Sequence, residues 1–304
     1  MNERNGRIVE IDGREVEIGH ADKVLFPDDG LTKFDLAEYY ARIGDTAIRH
    51  YRDRALSMHR YPDGIGADGF FQKQIGDHFP DWIGRSTLPK QDGEVTYVVA
   101  DSPATLVYLA DQGCITPHLA LSRTDRPHHP DRMIFDLDPS DDDFSKVQET
   151  ARHLHRALDG LDLPSFVQTT GSRGLHIVVP LDRHADFETV RAFTHTLCRD
   201  VAEEDPELMT TAQRKNKRGR RVFLDDLRNA YGQTSVAPYA VRARPGAPVA
   251  TPLEWREVGS SDLDPRRYRI GNLFRRMAQI DDPWADIARH AVRLPPQSRW
   301  PTPC

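Results

Sequence analysis

Cysteine is scarce in this 304-residue chain: Cys114, Cys198 and Cys304 are three in number and widely separated. They suit neither a disulfide framework nor a zinc knuckle, so a reducing, cytoplasmic setting is expected. No run approaches the roughly 18 consecutive apolar residues of a membrane span, and no membrane partner is expected. The start of the chain, Met1 to Asn5, is polar with no apolar region behind it, unlike a secretory signal. An excess of positive charge is missing too, since 41 Lys and Arg face 47 Asp and Glu for a formal net charge of −6. That sum does not advertise a nucleic-acid binder, but binding depends on where the cations cluster. There is no internal repeat and no clear linker. With 38% hydrophobic and 29% charged residues, the chain can bury the core of one large domain spanning residues 1–304, or of two closely packed subdomains within it.

What is present is led by Met133-Ile134-Phe135-Asp136-Leu137-Asp138-Pro139. If this apolar run is a strand, Asp136 and Asp138 share one face while Phe135 and Leu137 point into a core. Two like charges on one face repel and are costly to bury unpaired, a cost that a divalent cation relieves. Pro139 should end the strand and leave both carboxylates near a sheet edge or mouth. A further carboxylate candidate follows the apolar run Val222-Phe223-Leu224, at Asp225 or Asp226. One reading is a magnesium or manganese site for phosphoryl or nucleotidyl transfer. The other is a pair of solvated aspartates at a strand end.

Several other stretches carry chemistry. Residues 7–18 alternate apolar and polar around Asp12-Gly13, a hairpin signal. Thr32 can cap a helix bearing Leu36, Tyr39, Tyr40 and Ile43, and Lys23 and Lys33 near its start could hold a phosphate, or be ordinary surface lysines. Phe70-Phe71 follow a Gly/Pro-rich turn beside Gln72 and Lys73, suited either to base stacking or to a core. Strands are expected over 95–100 and 165–169, and helices over 103–112 (capped by Asp101 or Ser102), 144–158, 187–203 and near 270–280. A short strand through Ile115 leads to His118, a lone histidine of the kind that is more often structural.

Thr170-Gly171-Ser172-Arg173-Gly174-Leu175-His176 reads as a glycine-hydroxyl turn between strands. Thr170, Ser172, Arg173 and His176 offer donors for a triphosphate, but no G-K-[ST] is present and a strand follows, so this is not a Walker loop. An ordinary hairpin turn is the plainer alternative. Residues 214–221 hold six cations in eight positions, beside the strand that leads to Asp225. Arg242 and Arg244 have the i, i+2 spacing that would put two guanidiniums on one strand face.

Taken together, these motifs resemble the polymerase domain of bacterial ligase D, of the archaeo-eukaryotic primase-polymerase superfamily used in non-homologous end joining. Asp136 to Pro139 is similar to the family's first metal motif, Thr170 to His176 to its nucleotide-binding motif, and Val222 to Asp225 to its third. The resemblance implies an α+β (mixed α/β) primase-polymerase fold, with mixed sheets flanked by helices and a central active-site cleft between two subdomains. It implies metal-ligating, catalytic roles for Asp136, Asp138 and Asp225, and nucleotide contacts from Phe70, Phe71, His118, Thr170, Ser172, Arg173, His176, Arg242 and Arg244. Lys23 and Lys33 would hold the 5′-phosphate of the downstream DNA strand. Two Mn2+ or Mg2+ ions, nucleoside triphosphates with ribonucleotides preferred, DNA gaps or ends, a DNA ligase and a Ku-type end-binding protein are the implied cofactors and partners, in a nucleoid-associated setting. Three positions depart from the family pattern: His59 replaces an expected lysine, Leu119 a common tryptophan, and Asp226 an aromatic residue. No ligase or nuclease module accompanies the motifs, so a stand-alone enzyme or an excised domain is expected. A primase acting without a primer, or a non-catalytic end-binding module, are the alternatives.

Overall fold

Local sequence rules account for the first element. β1 (Arg7–Ile11) and β2 (Arg14–Ile18) pair antiparallel with Ile11 opposite Arg14. Asp12 and Gly13 form the two-residue loop, and both take positive φ (53° and 67°), as the tight hairpin turn requires. The computed structural model describes residues 6–90 and 92–301, so Met1 to Asn5 and Cys304 lie outside the described residues. The chain divides into two compact units. One takes in the chain up to Ala120 with Thr234–Ala250 and Tyr268–Asp282; the other comprises Leu121–Gln233, Thr251–Arg267 and Pro283 onward.

In the first unit, β3 (Val24–Phe26) and β4 (Leu31–Thr32) lead into α1 (Lys33–Tyr51). Thr32 caps this helix reciprocally: its hydroxyl accepts from the Asp35 amide at 3.2 Å, and the Asp35 carboxylate accepts from the Thr32 amide at 2.7 Å. Leu36, Tyr39, Tyr40 and Ile43 are buried, matching the helical spacing seen in the sequence. The buried hydroxyls of Tyr39 and Tyr40 donate to the carbonyls of Tyr239 (2.7 Å) and Ile115 (2.8 Å), so the aromatic core leaves these phenols satisfied. β5 (Ala55–Arg60), β6 (Phe70–Gln72), β7 (Gly84–Lys90), β8 (Gly93–Val99), α2 (Pro103–Asp111) and β9 (Cys114–Ala120) follow, with Ser102 capping α2. The main sheet runs Thr234–Val236, β9, β5, β8, β7, with β6 also paired to β5. The helix expected near 270–280 is only Leu273–Met277, because the amides of Gln279 and Ile280 both turn back onto the Arg276 carbonyl and close it.

In the second unit, β10 (Arg132–Pro139), α3 (Phe144–Asp159), β11 (Phe166–Thr169), β12 (Leu175–Pro180), α4 (Phe187–Glu204), β13 (Met209–Thr210) and β14 (Val222–Asp225) build a six-stranded sheet. Its order is β13, β14, β10, β12, β11 and the short strand Pro252–Leu253. All pairings are antiparallel except β13 with β14. β10 is therefore an interior strand, so of the two placements expected, a sheet edge or a mouth, the edge is excluded. Pro139 is its last residue, where the missing N–H interrupts no ladder beyond it. Phe135 and Leu137 are fully buried, each worth roughly 1.5–3 kcal/mol of transfer free energy. On the opposite face Ile134 and Val178 pack beneath Trp284, Phe187 and Ile287, and the same face turns polar one step along the strand.

Candidate active site

The register of four strands assembles the polar face. Asp136 on β10 stands opposite Asp225 on β14 and, on its other side, opposite His176 on β12; His176 in turn stands opposite Gln168 on β11. Strand alternation puts Asp138 on the same face, two residues along. The amide nitrogen of Gln168 lies 3.3 Å from His176 Nδ1, and donation there leaves the imidazole N–H on Nε2, 3.5 Å from Asp136 Oδ1. Asp225 also accepts from the Leu227 amide at 2.9 Å. Asp226 turns elsewhere: it is buried, and His195 Nδ1 lies 3.0 Å from its Oδ2.

Arginines stand among these carboxylates. Arg218 Nη1 lies 3.2 Å from Asp138 Oδ2, while its other nitrogens donate to the Ala212 and Gln213 carbonyls and its guanidinium lies over the Phe223 ring at 3.7 Å. Arg228 Nε lies 3.7 Å from Asp136 Oδ2 and 3.9 Å from Asp225 Oδ2. Burial, and then the Asp136 charge, push the Asp138 carboxyl above its ordinary range, against the pull of Arg173 and Arg218. Burial is also the leading cause of the upward push on Asp225, with the Leu227 amide opposing it and Asp136 adding to it.

Hard oxygen donors on one sheet face, from Asp136, Asp138 and Asp225, are the chemistry a divalent magnesium or manganese ion takes, so the donor set fits such an ion. Among the described residues no three His, Cys, Asp or Glu side chains are gathered around one point.

The glycine-hydroxyl turn closes against the end of β10. A side chain at Gly174 would collide with the Leu137 carbonyl, and Gly171 takes φ +63°. Thr170 Oγ1 accepts from the Ser172 and Gly174 amides at 3.3 and 3.2 Å, which commits it to shaping the turn. Arg173 donates to the Pro139 carbonyl at 2.7 Å, tying the turn to the Asp136–Asp138 strand. Arg266 donates to the Ser172 carbonyl at 2.8 Å, and Ser172, Arg173, Arg266 and Pro139 help line a cleft of about 190 Å³.

In the first unit a separate cluster forms. Phe71 stands opposite His59 across β5 and β6, and the rings stack at 4.1 Å and 11°. His118 on β9 meets Phe71 edge-on at 5.2 Å. Phe70 and Phe71 are both exposed, at 47% and 55%, so neither is core. Alternation places them on opposite faces, and Phe70 lies near Arg60 instead. Burial, then Arg242, lower the His59 pKa to about 4, so this residue is neutral where a lysine was expected. Arg242 and Arg244 correct another expectation. The Arg244 amide donates to the Arg242 carbonyl at 2.8 Å, so this is a turn rather than a strand, reversed by Gly246 at φ +83°. Both arginines still oppose the upward push of burial on the Tyr61 hydroxyl.

Lys23 and Lys33 are neighbours, since the Lys33 amide donates to the Lys23 carbonyl at 2.8 Å. Their ammonium groups pair with different carboxylates, Asp63 at 2.6 Å and Asp111 at 3.1 Å. Sequence reasoning did not find Gln168, Arg228 or Arg266. The first is visible only through strand register, and the others only through folding of loops that carry no motif.

A family model described as "LigD, primase-polymerase domain" matches residues 32–284. The multifunctional non-homologous end joining protein LigD of Mycobacterium bovis is 30% identical over 95% of this chain and 40% of its own length. The bifunctional LigD protein of Bacillus subtilis is 31% identical over 88% of this chain and 43% of its own. The chain thus spans about two-fifths of the length of these relatives. Among solved structures, the polymerase domain of Mycobacterium tuberculosis ligase D in complex with DNA superposes with a TM-score of 0.84 at 30% identity, covering 89% of this chain and 97% of that one.

Proposed function

The chain belongs to the LigD primase-polymerase domain family, and from that membership we propose that it is a DNA-dependent nucleotidyltransferase of bacterial end joining. It extends a primer 3′-hydroxyl with nucleoside triphosphates, ribonucleotides preferred, at gaps or breaks. The observation that carries this reading is the acidic row: Asp136, Asp138 and Asp225 share one sheet face in register. Isolated carboxylates on that face would repel a polyanion, whereas carboxylates that hold divalent cations attract one.

In this reaction the 3′-hydroxyl gives up its proton to solvent as its oxygen attacks the α-phosphorus, the bond from that phosphorus to the bridging oxygen breaks, and pyrophosphate leaves. Two bound Mn2+ or Mg2+ ions would supply charge neutralisation at the attacking and leaving oxygens. Asp136 and Asp138 would hold both, and Asp225 would complete the ligand set. The chain's remaining work is positioning. Gln168, hydrogen-bonded to His176, sets that imidazole beside Asp136 and so orients the carboxylate. The Ser172 and Arg173 side chains contact phosphate oxygens, and Arg242 and Arg244 add charge for the triphosphate. Phe71, stacked on neutral His59 and met edge-on by His118, offers its other aromatic face to a base, while Phe70 on the opposite face of β6 is available only to a different contact. Lys23 and Lys33 take a DNA 5′-phosphate, exchanging Asp63 and Asp111 for it. A DNA ligase and a Ku-type end-binding protein are the matching partners, in a nucleoid-associated cytoplasmic setting.

Primer extension on a gapped duplex with manganese, comparing ATP and GTP with their deoxy forms, tests the reading. Ribonucleotides should be incorporated faster. Lys23→Ala or Lys33→Ala should weaken binding to a 5′-phosphorylated gap about tenfold more than to a 5′-hydroxyl gap, the scale of one lost charge-assisted contact. Equal losses on both duplexes would remove the phosphate assignment, and faster use of deoxynucleotides would remove the sugar preference.

A further inference from the structure

Arg228 faces two carboxylates that a divalent ion would also occupy. Its Nε lies 3.7 Å from Asp136 and 3.9 Å from Asp225, two residues set opposite each other by the β10–β14 register. These separations exceed hydrogen-bond length, so the guanidinium sits between two charges rather than being bound tightly to either. Its side chain is 44% exposed, which leaves room for it to move outward. Arg218, beside Asp138, differs: it is buried, stacks on Phe223 and is tied to two backbone carbonyls as well as to the carboxylate. One arginine is held by many groups, and the other is held by charge.

We propose that Arg228 is an internal counter-cation that competes with the divalent ion for the Asp136–Asp225 pair. Its loose seat makes it displaceable, so that ion binding and withdrawal of Arg228 are one exchange. Two like carboxylates at directly opposed strand positions repel. Arg228 offsets that repulsion and holds the strand end in a binding-ready register. The cost is a weaker intrinsic affinity for the ion, since a positive charge must leave the lone pairs the ion needs. Once displaced, the guanidinium remains beside the site as a cation available to a phosphate, which would couple nucleotide binding to ion binding. This is a positioning role, and it rests on the metal reading of the acidic row.

The test is direct titration of Mn2+ into the nucleotide-free protein, followed by the electron-paramagnetic signal of the free ion. Wild type, Arg228→Gln, Arg228→Lys and Asp136→Asn would be compared. Removing a competing charge at this range should tighten Mn2+ binding about fivefold to tenfold in Arg228→Gln, with Arg228→Lys between it and wild type. In EDTA the melting temperature of Arg228→Gln should fall below wild type, and Mn2+ should raise it by more. Equal or weaker Mn2+ affinity in Arg228→Gln, with binding lost in Asp136→Asn, overturns the role of Arg228 and leaves the metal site standing. No saturable binding to wild type, or unchanged binding in Asp136→Asn, overturns both.

Discussion

Single residues already show how charge is distributed around the acidic face. Asp141, just past Pro139, is held by Lys146 Nζ at 2.6 Å and Arg220 Nε at 3.0 Å, and these partners lower its carboxyl to about 2. A depressed carboxylate contributes stability above its unfolded pKa, near 4, and loses it as pH falls toward the folded value. Asp141→Asn should therefore cost about 1 kcal/mol near neutrality, the scale of a small ion network rather than a lone surface pair. That difference in urea unfolding should be full at pH 6 and shrink steadily below pH 4. A difference that stays constant down to pH 3 would show that Asp141 acts through something other than its charge. Arg220 is also one of six cations in the 214–221 run, so part of that basic stretch neutralises the protein's own aspartates. Arg218 does the same at Asp138, which leaves the exposed Arg214, Lys215 and Lys217 for a polyanion.

At the scale of elements, what the sequence discloses is what is local. The Asp12-Gly13 hairpin, the Thr32 cap, the two-residue period of β10 and the strand-turn-strand around Gly171 depend on neighbours within a few positions, and all are legible in the chain. Strand order is not local. That β14 lies beside β10, bringing Asp225 opposite Asp136, follows from the topology of the whole sheet, and with it come Gln168 and Arg228. The i, i+2 spacing of Arg242 and Arg244 misleads for the complementary reason: a strand period was assumed where Pro245 and Gly246 impose a turn. The glycine-hydroxyl turn itself depends on one close approach. Gly174→Ala would drive a methyl group into the Leu137 carbonyl and should cost about 2 kcal/mol or more, with weaker nucleotide binding as the turn shifts away from β10. Gly219→Ala meets no atom within 4 Å but has φ +59°, so it should lose only about 1 kcal/mol and leave nucleotide binding intact. Denaturant unfolding with nucleotide titration checks both; a loss in Gly174→Ala no larger than in Gly219→Ala would mean that the Leu137 carbonyl does not set the cost at Gly174.

Across the whole molecule, two compact units carry different chemistry. One holds the acidic row and the glycine-hydroxyl turn; the other holds the Phe71–His59 stack, Arg242, and the lysine pair. Net acidity of −6 is compatible with a nucleic-acid enzyme because much of the negative charge is local and partly matched by internal arginines. The LigD primase-polymerase family match, over residues 32–284, takes in parts of both units. The deciding measurement is template-directed addition of one ribonucleotide to a primer in manganese, made with wild type and the Asp136→Ala/Asp138→Ala protein, with circular dichroism as a check on folding. Metal-dependent addition by wild type should fall by about 10³-fold or more in the folded double variant, the scale expected when transition-state charge stabilisation is lost. Addition at near wild-type rate by that variant, or none by wild type despite tight metal-independent DNA binding, would contradict a nucleotidyl-transfer centre on this sheet.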